Sequence, residues 1–228
     1  MNRFARFAAS ALALSLVPAM LMGCGKKEAS TGSDLEYIKQ KGTLVVGITD
    51  FAPMDYQNES GEWIGFDADM AKAFAESLGV TAEFVEIDWD NKILELDSKT
   101  IDCVWNGMTL TDEVTSSMAC SNAYCNNTQV VILPADKAAD YDTVDSLSGL
   151  RFAVESGSAG MAQAEEKGLT YTDVVDQATA LLEVKSGTAD AAIIDSLMAG
   201  AMVGEGTNYA DLAIGPVLNA ETGEQYGV

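Results

Sequence analysis

Apolar residues fall in short β-branched runs separated by amphipathic stretches. Leu44 to Ile48 (LVVGI), the alternating Thr81 to Ile87, Gln129 to Leu133 (QVVIL) and Leu150 to Val154 read as strands. Between the first two, Ala68 to Leu78 carries Met70, Phe74 and Leu78 at steps of four beside Ala71 and Ala75. That spacing predicts a helix with the stripe as its buried face, Asp67 as N-cap and Gly79 as its stop. Further helices are expected around Ile93 and Leu96, over Met161 to Lys167, over Asp176 to Lys185 and from Ser196 to about Val203. Strand and helix in alternation imply right-handed parallel crossovers and an α/β fold. The polar stretch after Pro134 (ADKAADYDTVDSL) reads as a connector, beyond which the pattern restarts. Two lobes on one plan are expected.

A short repeat supports that plan. Leu94 to Asp102 and Leu182 to Asp190, nine residues each, share Leu94/Leu182, Glu95/Glu183, Ser98/Ser186, Thr100/Thr188 and Asp102/Asp190. Each copy runs from an amphipathic helical end through a polar break into a short apolar run, Cys103 to Trp105 in one and Ala191 to Ile194 in the other. In an open parallel sheet, ligands lie beyond the carboxyl ends of the strands. Gly107 and Asp195, each five residues past the shared aspartate, are therefore expected to face one another across a cleft.

The chain of 228 residues carries 13 basic and 35 acidic residues, a formal net charge of −22. Such a charge repels nucleic acid and anionic membrane surfaces, which are discounted as partners. The leader, Arg3 and Arg6 before the apolar run Phe7 to Leu21, reads as a signal peptide over residues 1–23. Leu21, Met22, Gly23 and Cys24 resemble the lipobox of bacterial lipoproteins, which implies cleavage before Cys24 and lipidation of its sulfur. Gly25 to Ser33 (GKKEASTGS) then reads as a solvated tether. No later apolar run approaches the roughly 20 residues that a spanning helix needs.

Histidine is absent, which removes Ser/His/Asp and Cys/His catalysis and the usual catalytic zinc sites. Neither Asp67/Asp69 nor Asp88/Asp90 has the remaining ligands of a calcium loop, so both pairs read as caps and solvated faces. No cofactor or metal is expected. Cys120 and Cys125 fit either a disulfide or buried free thiols. Phe51, after the first strand, fits either a stacking platform or a core plug. In the loop Glu155 to Gly160 (ESGSAG), Gly157 frees the backbone and Ser158 is a natural N-cap. The helix terminus there suits an anion, or simply a cap with nothing bound.

GTLVVGITDFAPMDY, GFDADMAKAFAESLGV, IDCVWNGMTLTDE, ESGSAG and ADAAIIDS, in this order, resemble the solute-binding proteins of bacterial polar amino-acid ABC transporters. The likeness runs from about Gly42 to Val228. It implies the type II periplasmic binding protein fold, two Rossmann-like lobes joined by two crossing strands around a ligand cleft. The expected layout is a leader over 1–23, a lipidated tether over 24–41, lobes over 42–133 and 134–224, and the start of the second crossing strand over 225–228. Gln129 to Leu133 would correspond to the first crossing. In the family a strand and helices follow EQYGV and cover the first lobe, so a product ending at Val228 would expose apolar surface there.

The resemblance also implies roles. Phe51 matches a stacking aromatic, Gly107 and Thr109 the backbone and hydroxyl contacts of the first lobe, Ser158 the group that holds a ligand carboxylate, and Asp195 the acid that receives the ligand ammonium. Where the family has an arginine clamping the carboxylate, this chain has Val114. Losing one partner of a buried charged pair costs about 2 to 5 kcal/mol. Either Ser158 and Thr109 carry the carboxylate alone, or the ligand is an amine. The amino acid ranks first because Ser158 and its glycines are kept. The expected protein is an extracytoplasmic, lipid-anchored receptor that delivers a small amino acid to a membrane permease, not an enzyme. A dehydratase on the same fold is the other class considered.

Overall fold

The structure, a computed structural model, describes residues 32–228. The leader and the lipidation site at Cys24 lie outside the described residues. The first element is a helix, α1 (Asp34–Lys41), with Ser33 accepting from the Glu36 amide and Gly42 closing it at φ 81°. The tether expected through Lys41 therefore includes an ordered helix of about two turns, because Ser33, Asp34 and Glu36 favour a helix start and Gly42 its stop.

In the first lobe, β1 (Thr43–Ile48) leads to a small ribbon of β2 (Tyr56–Gln57) and β3 (Trp63–Ile64). Then follow α2 (Phe66–Leu78), β4 (Thr81–Glu86), a 3-10 turn over Trp89–Asn91, α3 (Lys92–Asp97) and β5 (Cys103–Val104). β1 sits centrally, parallel to β4 on one side and β5 on the other. Its Leu44, Val46 and Ile48 pack under α2, while Ile87, Trp89, Ile101, Val104 and Val114 fill the opposite face.

The buried face of α2 differs from the expected stripe. Ala68, Ala71 and Ala75 are fully buried, whereas Met70 and Phe74 are each 47% exposed. Small residues let the helix lie close on β1, and the larger side chains turn outward. There Phe74 meets the Trp105 ring edge-on and Phe66 stacks on Tyr124. Asp67 is not a cap either. Gly65 occupies that position, and Asp67 is buried inside the lobe.

After β6 (Met108–Thr109), α4 (Asp112–Ser117) and β7 (Cys125–Asn127), the chain enters β8 (Gln129–Pro134). β8 is not a crossing strand. It is buried through Leu133 and lies antiparallel between two strands of the second lobe, β11 (Ala191–Asp195) and β12 (Leu212–Val217). Its continuous apolar run belongs to a central strand, so the first lobe ends before Gln129. The crossing is made by β7, which pairs with β13 (Glu224–Gly227), itself paired with β6.

The second sheet runs in the order β10 (Thr170–Val174), β9 (Arg151–Glu155), β11, β8, β12. On one face α6 (Gln177–Ser186) and α7 (Ser196–Met202) bury Leu181, Val184 and Met198 against Val130, Ile132 and Ile194. On the other, α5 (Ala159–Glu166) covers Val154 and Ile193. Strands β10 and β12 were not anticipated. The former is a polar edge with Thr170, Thr172 and Asp173 exposed, and the latter is interrupted by Gly215 and Pro216. Both lack the apolar pattern that marks a strand.

The repeat holds down to single hydrogen bonds. Ser98 Oγ donates to Glu95 O at 3.1 Å, and Ser186 Oγ to Glu183 O at 3.1 Å. Thr100 N and Thr188 N reach the same two carbonyls at 3.0 Å. Asp102 accepts from Val45 N at 2.7 Å and Asp190 from Arg151 N at 3.0 Å, each tying its turn to the neighbouring strand. Lys41 completes the Asp102 site and Arg151 the Asp190 site. Cys103, Cys120 and Cys125 carry free thiols.

The two aspartates differ in burial, with side chains 5% and 36% exposed. Asp102→Ala strands a partly buried amide and is expected to cost about 1 to 3 kcal/mol. Asp190→Ala loses a hydrated contact and is expected to cost under about 1 kcal/mol. Urea unfolding of both variants measures the difference, and equal costs would contradict the assignment.

Candidate functional site

The carboxyl ends of β1, β5, β9 and β11 converge on one cavity of about 290 Å³. Phe51, Gly107, Thr109, Ser158 and Asp195 all line it, together with Val114. The repeat thus places Gly107 and Asp195 on the walls of the same hollow, one from each lobe.

Asp195, at the end of a strand buried throughout, is itself 5% exposed. Its Oδ1 accepts from Tyr226 Oη at 2.6 Å, from Gln129 Nε2 at 3.1 Å and from Asn127 Nδ2. Its Oδ2 accepts from Gln177 Nε2, whose Oε1 in turn takes the Asp195 amide at 2.9 Å. Asn127 and Gln129 also donate to Glu224, so both crossing strands are tied to the end of β11. Burial pushes the Asp195 carboxyl above its ordinary range, and the charge of Glu224 adds to the effect.

A second carboxylate, Glu155, lines the same cavity and is 3% exposed. Gln177 Nε2 lies 3.4 Å from its Oε2, and its Oε1 has no hydrogen-bond partner among the described residues. Burial first, then the charge of Asp195, raises its pKa to about 8. Two acids on one wall make a pole that favours a cation. Sequence reasoning assigned Glu155 only to a loop; its signal is an acid closing the apolar strand RFAVE.

The first lobe holds its side of the cavity with buried polar pairs. Asn106 donates to Asp55 at 2.8 Å and accepts from the Thr49 amide and hydroxyl at 3.0 and 2.9 Å. Asp67 accepts from Gly107 N and from Tyr124 Oη, both at 2.7 Å. The Gly107 amide expected to meet a ligand is therefore committed to Asp67. A Cβ on Gly107, where φ is +55°, would stand 2.4 Å from the Phe51 ring. Phe51 unites its two readings: it lines the cavity and is 3% exposed in the core, edge-on to Tyr226 at 6.3 Å.

Ser158 caps α5, accepting from Met161 N at 3.0 Å. The first-turn amides after it lie outside the helical ladder, and Ser158, Ala159 and Ala162 of this end line the cavity. Gly157, with φ +67°, touches the first lobe, where an added Cβ would come within 2.7 Å of Asp90 Cα. Lys92 Nζ donates to Gly157 O at 2.9 Å and to Trp89 O at 3.1 Å, joining the lobes beside Ser158. Lys92, Trp89 and Gln177 are not legible as site residues in the sequence, because Lys92 and Gln177 read as ordinary helix starts and Trp89 as the end of a strand.

Residues 44–190 match the family described as bacterial extracellular solute-binding proteins, family 3. The arginine-bound form of a truncated ArgBP from T. maritima is 35% identical, with a TM-score of 0.77 over 84% of this chain and 89% of that one. An L-cystine-binding protein of Escherichia coli K12 is 27% identical over 200 residues, covering 86% of this chain and 75% of the relative. A cyclohexadienyl dehydratase of Pseudomonas aeruginosa is 27% identical over 172 residues, covering 73% and 64%.

The raised pKa of Glu155 has a consequence for stability. Unfolded, its carboxyl loses a proton near the ordinary 4.5; folded, it keeps it to about 8. Between those values the folded state binds more protons, so stability falls as pH rises through that window. Glu155→Gln is expected to flatten the fall, with Asp55 and Asp195 supplying the remainder. Chemical unfolding at intervals of pH between 4 and 9 checks it, and an unchanged slope would contradict it.

Proposed function

The chain belongs to the bacterial extracellular solute-binding proteins, family 3, and from that premise we propose that it captures an amino acid between its two lobes. The carrying observation is a cavity whose lining combines buried carboxylates with hydrogen-bond donors. Asp195 and Glu155 form an acidic wall, while Ser158 and the start of α5 offer hydrogen-bond donors. A zwitterion satisfies both at once, and an amine or a simple anion satisfies one. Phe51 and Trp89 give the ligand's carbon skeleton apolar surface, and Thr109 adds a hydroxyl. Binding draws the lobes together about β7 and β13, whose hydrogen bonds to each other and to the Asp195 cluster form the hinge.

The receptor serves an ABC importer, presenting its loaded form to the membrane permease. Export through the leader and lipidation at Cys24 would hold it at the outer face of the membrane. Among the described residues no helix is long and apolar enough to cross a membrane. The amine-binding alternative rests on Val114, which is 2% exposed in the core and presents no charge to the cavity. The dehydratase class is discriminated by turnover of cyclohexadienyl substrates, of which none is expected.

An ammonium placed against Asp195 and Glu155 favours their ionised forms, so binding near pH 7 expels protons. Titration calorimetry with L-arginine and L-cystine, repeated in buffers of different ionisation enthalpy, is expected to give heats that differ between buffers in the sense of proton release. An absence of heat with these and the other common amino acids would remove the receptor reading.

A further inference from the structure

We propose that Lys92 supplies the cation that recognises the ligand carboxylate, in place of the arginine absent at Val114. This rests on the amino-acid reading above and names the group that makes it work.

Lys92 opens α3 and is 6% exposed, with its side chain at the cavity. It is the only lysine or arginine among the cavity's lining residues. Burial lowers its pKa, opposed by the charges of Glu113, Glu155 and Asp90. Among the described residues no carboxylate comes within ion-pair distance of its Nζ. Its partners are two backbone carbonyls, Trp89 O and Gly157 O, and the face of the Trp89 ring 5.0 Å away. An ammonium has three donors, and these contacts engage two of them. With Glu113, Glu155 and Asp90 felt only from beyond ion-pair distance, this buried cation lacks the direct counter-charge that buried ions ordinarily require.

Position makes the counter-charge a ligand carboxylate. The carbonyl that Lys92 grips belongs to Gly157, whose next residue is the N-cap Ser158. The ammonium and the first turn of α5 therefore stand at one end of the cavity, the end that Ser158 was expected to serve. Val114 and Lys92 line the same cavity from neighbouring elements, α4 and α3, so the lysine brings a cation to the wall where position 114 brings none. Because Lys92 lies on the first lobe and α5 on the second, a carboxylate held between the ammonium and the first turn of α5 also strengthens closure.

The test compares two amino acids with their decarboxylated counterparts, L-arginine with agmatine and L-cystine with cystamine, by calorimetry on the full mature chain. The wild type is expected to prefer whichever amino acid it binds over the amine by about 30-fold or more, the ratio expected of a buried charged contact. Lys92→Met and Lys92→Gln are expected to bring that ratio near unity. Lys92→Arg should keep most of the preference, and Lys92→Met with Val114→Arg should restore it. A thermal melt of each variant separates loss of recognition from loss of fold. Retention of the full ratio in both Lys92→Met and Lys92→Gln would overturn the proposal and leave the receptor reading intact. Failure of the wild type to bind any of the four probes or another amino acid would overturn both.

Discussion

The Asp195 carboxylate, held by amide and hydroxyl donors at the junction of hinge and cavity, is the constraint on which the architecture turns. Its two oxygens collect side chains from β7, β8, α6 and β13, which are separated by nearly a hundred residues of chain. Burying a carboxylate is costly unless such donors meet it. The surrounding elements therefore have one arrangement that satisfies it. The same interaction orders the hinge and sets the charge of the cavity wall. On the proposed reading, motion about the hinge and recognition in the cavity would be coupled through this one residue.

The second consequence concerns charge balance. Glu155 and Asp195 share a low-dielectric wall; burial raises the proton affinity of both, the charge of Asp195 adds to that of Glu155, and the charge of Glu224 to that of Asp195. Without a cation they are held partly neutral; with one they ionise. Val114 lies in the apolar core and brings no charge, and Lys92 is the one lysine or arginine among the lining residues. The site therefore has its cation and its anions on different elements, which suits a ligand bearing both signs and disfavours one bearing a single sign.

Much of this was legible in the chain. The helix, break and strand grammar of the repeat located the ends of β5 and β11, and through them Gly107 and Asp195, because hydrogen bonds from Ser98 and Ser186 repeat the same turn. Ser158 was legible as a cap because loop glycines and a serine before a helix carry a local signal. What stayed hidden depends on tertiary choice. The inward face of α2 was misassigned because alanines, not Met70 and Phe74, permit close approach to β1. Asp67 read as a cap, yet Gly107 and Tyr124 claim it from afar. Strand β8 looked like a crossing, and only its pairing with β11 and β12 places it in the second lobe. Glu155 and Lys92 gain their meaning from burial that no periodicity reveals.

The most direct test of the account is the affinity of Asp195→Asn for L-arginine or L-cystine, whichever the wild type binds. Asparagine keeps the size of the side chain and an acceptor oxygen for Tyr226 but removes the charge. The account predicts a cooperatively folded protein whose affinity for the zwitterion falls by about 30-fold or more. An unchanged dissociation constant in a folded variant would contradict it.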